Sequence, residues 1–144
     1  MLMLLAIVSV FGLSACGGGG DDDYYYEPEL VTLFLVDEQG FSYGGIPYKC
    51  DSMLYWSETL DNGEFTFLPP DNCEFDFYGL NGTDPDDGYT NHLIYIVDYL
   101  DNGKNGIPYE CANFNAGFLN ETYDDGIYDG SFDYDIDDQC VFYL

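Results

Sequence analysis

Short apolar runs separated by turn-forming residues recur along the chain. None keeps a helical period over the roughly ten to twelve residues that a helix needs. Aromatic residues instead alternate with others, as Phe-x-Phe at residues 65 to 67 and Phe-x-Tyr at residues 132 to 134. Alternation of this kind predicts strands that bury the aromatic side chains on one face and turn Glu64 and Thr66 to solvent. The pattern therefore predicts an all-β protein.

The chain contains an internal repeat. Residues 33 to 50 align with residues 94 to 111 at a constant offset of 61, and both segments contain Val-Asp, Gly-Ile-Pro-Tyr and a Cys. Residues 62 to 77 align with residues 129 to 144 at an offset of 67. The second copy thus carries six extra residues, within the loop-like stretch 112 to 128. A self-similar period of this length indicates two copies of one structural unit.

Each copy is predicted to fold as about five short strands in a small sandwich. The first copy spans residues 30 to 80, a polar linker spans 81 to 92, and the second copy spans 93 to 144. Asn62-Gly63 and Asp129-Gly130 are typical of hairpin turns. We expect two separate tandem sandwiches, since each copy carries its own pair of Cys; a single shared sandwich is the alternative that the linker length allows.

Four of the five Cys occupy equivalent positions in the two copies, Cys50 with Cys111 and Cys73 with Cys140. Four Cys allow three pairings, and the repeat selects Cys50 to Cys73 and Cys111 to Cys140. Each disulfide would contribute about 3 to 4 kcal/mol to a unit whose core alone rarely supplies more than about 3 to 5 kcal/mol. A metal-thiolate site is the alternative, although the chain has no CxxC spacing. This Cys content indicates an oxidising compartment.

The repeat resembles the B-type repeats of bacterial surface adhesins and the related carboxypeptidase-regulatory-like, transthyretin-like modules. The shared motifs are a Gly-Ile-Pro strand, a Gly-x-Phe strand and, in the first copy, Leu-Pro before the last strand. The resemblance implies a non-catalytic β module on a cell surface. Some adhesin repeats carry a Lys-Asn isopeptide bond from the first strand. None is expected here, because the first strands, residues 31 to 36 and 93 to 97, contain no Lys. The matching residues are Gly45, Ile46, Pro47, Gly63, Phe65, Phe67, Leu68 and Pro69, then Gly106, Ile107, Pro108, Gly130 and Phe132.

Residues 1 to 13 are almost wholly apolar but too few to span about 30 Å of hydrocarbon. They end in Leu13-Ser14-Ala15-Cys16, which resembles the lipobox of bacterial lipoproteins, although the usual basic n-region is missing. The resemblance implies a signal peptide at residues 1 to 15, lipidation of Cys16 and, because Gly17 follows, outer-membrane retention. Residues 16 to 29 would form a Gly- and Asp-rich tether. The alternative is a buried N-terminal strand with Cys16 as a framework thiol.

The charge and composition of the chain restrict the classes of function that it can have. The chain has 28 acidic residues against two Lys and no Arg, a net charge of -26, which excludes direct binding of nucleic acid. The single His, His92, has no partner nucleophile in the pattern, so enzymatic activity is not expected. Fifteen Tyr are too many for two small cores, and exposed Tyr predict contacts with a protein or polysaccharide.

Calcium is the candidate cofactor. Residues 101 to 106 follow part of a D-x-[DN]-x-[DN]-G loop, with Asp101 and Asn105 at ligand places, but Gly103 occupies another such place and no Glu lies six residues beyond. Acidic turns of adhesin repeats add Asp98 to the set. The acidic stretch 124 to 138 offers a second possibility, with a solvated strand face as its alternative interpretation.

The sequence thus predicts a lipid-anchored, exported acidic protein at the outer membrane or cell surface, acting as a structural or adhesion-like binding module. The alternatives are a calcium-binding β module and a secreted carbohydrate-active enzyme. The ligand and the oligomeric state stay open.

Overall fold

The computed structural model describes residues 27–80 and 93–144. The predicted signal peptide, Cys16, most of the tether and the linker with His92 lie outside the described residues. What is described is built from ten short strands and one short 3-10 turn, which confirms the all-β prediction.

Each repeat contributes five strands in the same order, as predicted. In the first repeat they are β1 (Val31–Val36), β2 (Pro47–Cys50), β3 (Ser57–Glu58), β4 (Glu64–Phe67) and β5 (Asn72–Asp76). In the second they are β6 (Ile94–Val97), β7 (Pro108–Cys111), β8 (Asn120–Glu121), β9 (Ser131–Phe132) and β10 (Gln139–Tyr143), with the 3-10 turn Phe114–Gly117 between β7 and β8.

The two repeats share one sandwich. The four-stranded sheet has the order β4-β1-β6-β9, and the six-stranded sheet has the order β3-β2-β5-β10-β7-β8. Each sheet therefore contains strands of both repeats, and the two repeats meet at β1 and β6 in one sheet and at β5 and β10 in the other. The expectation of two separate tandem sandwiches is corrected: pairing across the repeats leaves fewer exposed strand edges than two isolated units would have.

Strand register gives the sandwich an internal pseudo-two-fold axis. In the antiparallel pair of β1 and β6, Leu35 lies opposite Ile96, its own equivalent at the offset of 61. In the pair of β5 and β10, Glu74 lies opposite Val141, its equivalent at the offset of 67. The axis therefore passes through the centre of both sheets.

The core between the sheets is aromatic and repeats the symmetry. Phe65 and Phe75 pack edge to face with ring centroids 4.9 Å apart, and their equivalents Phe132 and Phe142 do the same at 4.9 Å. The predicted inward aromatics of residues 65 to 67 and 132 to 134 are all buried, while Glu64 and Thr66 are half-buried rather than fully exposed. Edge-to-face pairs of this kind add to the area term of burial.

The Asn62-Gly63 turn does not join two paired strands, whereas the loop with Asp129-Gly130 is closed by a single antiparallel bridge between Tyr123 and Ser131. The turn at Gly63 connects β3 to β4, yet β3 pairs with β2 while β4 pairs with β1 in the other sheet. Gly63 is required for a different reason: a Cβ there would lie 2.3 Å from the carbonyl oxygen of Leu35, and its φ is +79°. The turn thus presses the backbone against β1, an approach that only glycine permits.

Both predicted disulfides are present. Cys50 and Cys73 lie opposite each other on β2 and β5, with their Cα atoms 3.9 Å apart, and Cys111 and Cys140 repeat this on β7 and β10 at 4.0 Å. Each bond ties one of the two central strands of the six-stranded sheet to its neighbour. Because the four sulfurs are oxidised in pairs, the metal-thiolate alternative is set aside.

The six extra residues of the second repeat are divided between two loops. The offset between equivalent residues is 61 at Cys50 and Cys111. It is 63 at Glu58 and Glu121, which pair in the same way with β2 and β7, and it is 67 at Gly63 and Gly130. Two extra residues therefore precede β8, and four lie between β8 and β9. The loop between β8 and β9, with its four extra residues, breaks the symmetry of the sandwich.

Candidate functional site

The loop between β8 and β9 covers the outer face of the four-stranded sheet. Every residue of β6 is buried, whereas burial alternates along its equivalent β1. The side chain of Tyr95 is only 2 % exposed because Tyr128, in the loop, packs against it with ring centroids 5.1 Å apart and an interplanar angle of 59°. Phe34, the equivalent of Tyr95, is half-buried. The cover is thus specific to the second repeat.

Asp125 holds this loop in place. Its Oδ1 accepts hydrogen bonds from the backbone N–H groups of Ile127 at 2.9 Å and Tyr128 at 2.8 Å. Its Oδ2 accepts a hydrogen bond from the Tyr95 hydroxyl at 2.6 Å. Burial raises the pKa of Asp125, but the hydrogen bonds from Tyr95, Tyr128 and Ile127 outweigh it, so the net pKa is lowered. Burial and the same carboxylate raise the pKa of Tyr95. The phenol therefore stays neutral and the carboxylate stays ionised at neutral pH.

Beside the loop lies an open groove of about 540 Å³. Val36, Tyr95 and Val97 contribute from the central strands, and the walls are residues 37 to 40, residues 101 to 103 and residues 127 to 129. The two repeats thus contribute equivalent first-strand loops to opposite sides of the groove. The third wall exists because of the longer loop of the second repeat.

The groove is both aromatic and acidic. Asp37, Glu38, Asp101 and Asp129 line it, and no Lys, Arg or His is among the lining residues that the structure describes. Asp37 Oδ1 accepts hydrogen bonds from its own loop, and Asp129 Oδ1 accepts one from Asn105 Nδ2 at 2.7 Å. Glu38 and Asp101 are exposed. The negative charges therefore surround a partly apolar floor.

Asp98, predicted as a calcium ligand, organises a turn. Its Oδ1 accepts the backbone N–H groups of Leu100 and Asn102 at 2.9 and 3.0 Å, and its Oδ2 lies 2.8 Å from Lys104 Nζ. The hydrogen bond from Lys104, together with those from the loop, holds the pKa of Asp98 well below its usual value. Asp37 makes the same turn in the first repeat. The shared Val-Asp of the repeat is thus a loop motif.

The other two predicted calcium ligands have different surroundings. Asp101 lines the groove with a φ of +61°, whereas Asn105 binds Asp129 and accepts the N–H of Gly130 at 2.7 Å. Within residues 27–80 and 93–144, the groups with metal-ligand geometry are Cys50, Asp71, Cys73 and Cys111, Asp138, Cys140, whose sulfurs form the disulfides. Calcium binding by the predicted set stays a prediction.

The sequence did not predict the role of two buried carboxylates, Asp71 and Asp138, of which Asp138 is the last residue of the acidic stretch 124 to 138. Asp138 is fully buried and accepts hydrogen bonds from four backbone N–H groups, and its equivalent Asp71 binds Ser52. The signal was present: both repeats contain Asp-x-Cys before the last strand. Thr59 and Thr122 form a second equivalent pair. The Thr59 hydroxyl oxygen accepts a hydrogen bond from the N–H of Ile46, and the Thr122 hydroxyl oxygen accepts one from the N–H of Ile107.

No protein-family model, no curated protein and no solved structure matches this chain. Among the described residues, no helix has the length and apolar character needed to cross a membrane. The case for function therefore rests on the groove and on the sequence.

Replacing Tyr95 by Phe tests the bond that fixes the loop. Tyr95→Phe is expected to lower the free energy of unfolding by about 1 kcal/mol at pH 7, because the hydroxyl donor to Asp125 is lost. The pKa of Asp125 is lower in the folded protein than its unfolded value, so the carboxylate's contribution is complete above about pH 4 and is lost as the pH falls through the folded pKa. Urea unfolding at pH 7 and at about pH 2.5 measures this. The difference in free energy of unfolding between Tyr95→Phe and the wild type should be smaller at the acid pH.

The control for this measurement is Tyr55→Phe, which removes a hydroxyl from a side chain that is 80 % exposed. It should change stability by less than about 0.5 kcal/mol at either pH. Equal destabilisation by both variants, or a Tyr95→Phe effect that does not depend on pH, would contradict the role given to Asp125.

Proposed function

We propose that this protein is an exported, lipid-anchored binding module without catalytic activity, and that it binds its ligand in the groove beside Tyr95. The observation that carries the proposal is the symmetry-breaking loop. The second repeat has four extra residues between β8 and β9, and this longer loop builds one wall of a groove lined by Tyr, Asp and Glu. A rigid sandwich that presents a binding site on its loops is a common arrangement in proteins.

Export is supported by the two disulfides, since such bonds persist in oxidising compartments. The lipobox-like Leu13-Ser14-Ala15-Cys16 supports an anchor at Cys16 and a position at the outer membrane or cell surface. A chain held by its N-terminus would leave the sandwich free to meet a partner.

A binding role fits the groove better than hydrolysis of polysaccharide. A glycosidase needs one carboxyl group in a desolvated site as the general acid. Glu38 and Asp101 in the groove are exposed to solvent. Asp37 and Asp129 are hydrogen-bonded to the protein. These carboxylates are therefore suited to attract a ligand.

The anchor is tested by intact mass of the full chain purified from the membranes of a bacterial host that processes lipoproteins. The wild-type mass should correspond to a chain that begins at Cys16, carries acyl groups and has its other four Cys oxidised. Cys16→Ser should abolish acylation, so that the mass of this variant lacks acyl groups. Ser14→Ala keeps a small residue in the lipobox and is the matched control, for which acylation should persist. A membrane-derived wild-type mass without acyl groups would overturn the anchor.

A further inference from the structure

We propose that the groove beside Tyr95 takes a cationic ligand, namely a lysine side chain on a basic segment of a partner protein. This inference rests on the proposed binding function and names the ligand class for the same groove. It is carried by the charge of the lining, by the exposed ring of Tyr128 and by the loop that holds this ring.

Charge complementarity points to a cation from outside the chain. Four carboxylates line the groove, and no cationic side chain is among the lining residues that the structure describes. The chain has only two Lys in 144 residues, and Lys104 is already bound to Asp98 at 2.8 Å. At a net charge of -26, the protein also attracts basic partners over distances of about a Debye length.

The shape and polarity of the groove match a lysine side chain rather than a bare ion. The ring of Tyr128 is 45 % exposed at the groove and packs on the ring of Tyr95, which is only 2 % exposed, with centroids 5.1 Å apart. An ammonium group near the exposed Tyr128 ring gains cation–π energy, while an aliphatic stem can lie on apolar groups. Val36, Val97 and Ile127 supply those groups within the same lining, and Ile127 is 80 % exposed.

The position of the Tyr128 ring is fixed before any ligand arrives. Asp125 fixes the Tyr95 hydroxyl with one oxygen and the backbone of Ile127 and Tyr128 with the other. Little side-chain and loop entropy would then be lost on binding. Since the four extra loop residues occur in the second repeat alone, the inference also predicts one site for each chain.

The test is a titration of ¹⁵N-labelled protein with acetyl-Lys-Lys-Lys-amide at low ionic strength, followed by amide chemical shifts. Saturable shifts should concentrate at residues 36 to 40, 101 to 103 and 127 to 130, with one peptide bound per chain. Acetyl-Gln-Gln-Gln-amide should cause no comparable shifts. Tyr128→Ala should weaken binding about 5-fold, and Glu38→Gln about 2- to 5-fold.

Matched controls separate specific binding from screening of a very acidic protein. Tyr78→Ala removes a ring that is 80 % exposed and does not line the groove, and Glu121→Gln makes the same charge change as Glu38→Gln on the edge strand β8. Neither control should change the affinity by more than about 1.5-fold. The Glu38→Gln arm does not depend on how Tyr128→Ala alters the loop.

Three results would overturn the inference. Shifts spread over the whole surface, with the same midpoint in every variant, would show charge screening only. Groove shifts caused by a neutral oligosaccharide and not by the lysine peptide would show a carbohydrate site. Groove shifts caused by calcium and not by the peptide would show a metal site. In the last two cases the proposal of a binding module would stand, with another ligand. The lipid anchor is tested separately, by the intact mass, and does not depend on any of these three results.

Discussion

Reduction of both disulfides is expected to unfold the protein at about 25 °C in dilute buffer. The bonds join residues separated by 23 and 29 positions, and closing loops of this size stabilises a domain by about 3 to 4 kcal/mol each. Their joint loss approaches the whole stability of an ordinary domain, about 5 to 15 kcal/mol. Near-ultraviolet circular dichroism with and without a phosphine reductant measures the loss of fixed aromatic packing.

The two bonds can also be removed one at a time. Cys50→Ser with Cys73→Ser and Cys111→Ser with Cys140→Ser should each lower the melting temperature by about 15 to 25 °C, because each variant loses about 3 to 4 kcal/mol. The effects should be similar, since the bonds are equivalent across the pseudo-two-fold axis. A reduced protein that melts within about 5 °C of the oxidised one would show that the shared core alone holds the sandwich.

Asp138→Ala is expected to lower the free energy of unfolding by about 4 kcal/mol, well above the loss that most single substitutions cause. The side chain is fully buried, and its loss leaves a set of buried donors without their acceptor. These donors are the backbone N–H groups of Asn113 at 2.8 Å, Gln139 at 2.9 Å, Phe114 at 2.8 Å and Asp135 at 3.0 Å. Chemical denaturation at neutral pH measures the change.

The symmetry of the fold supplies the comparison for this variant. Asp71 is equivalent to Asp138 but binds only the N–H and hydroxyl of Ser52 in the hydrogen bonds described, so Asp71→Ala should cost about 2 kcal/mol. Asp61→Ala removes the same charge from an exposed position and should change stability by less than about 0.5 kcal/mol. An Asp138→Ala effect no larger than that of Asp61→Ala would show that water replaces the carboxylate at no cost.

The strands, the inward aromatics and the disulfides could be predicted from the sequence because they depend on local patterns. Alternation at residues 65 to 67 fixes which side chains face the core, and the repeat fixes which Cys are equivalent. Pairing across the repeats could not be predicted in the same way. The apolar run at residues 33 to 36 predicts a strand but does not show that Leu35 in this strand lies opposite Ile96.

The groove was beyond local patterns for a similar reason. Tyr95 lies in an apolar run, and only the fold brings Tyr128 and Asp125 against it from 30 or more positions along the chain. The metal-loop motif did not indicate the hydrogen bonds of the predicted ligands: Asp98 accepts the N–H of Leu100, Asn105 accepts the N–H of Gly130, and calcium binding stays a prediction. In so acidic a chain, the arrangement of carboxylates carries more information than their number.

The register at Leu35 and Ile96 bears on how such a chain could arise. Taken alone, either repeat would expose one further strand edge in each sheet, at β1 and β5 in the first and at β6 and β10 in the second. Two identical copies of one repeat could cover those edges in the isologous way that a homodimer does. The present protein is the fused counterpart of such a dimer: joining the halves in one polypeptide removes any dependence of folding on protein concentration. It also frees the halves to diverge, and the added loop beside Tyr95 is a change that a symmetric dimer would have to make twice.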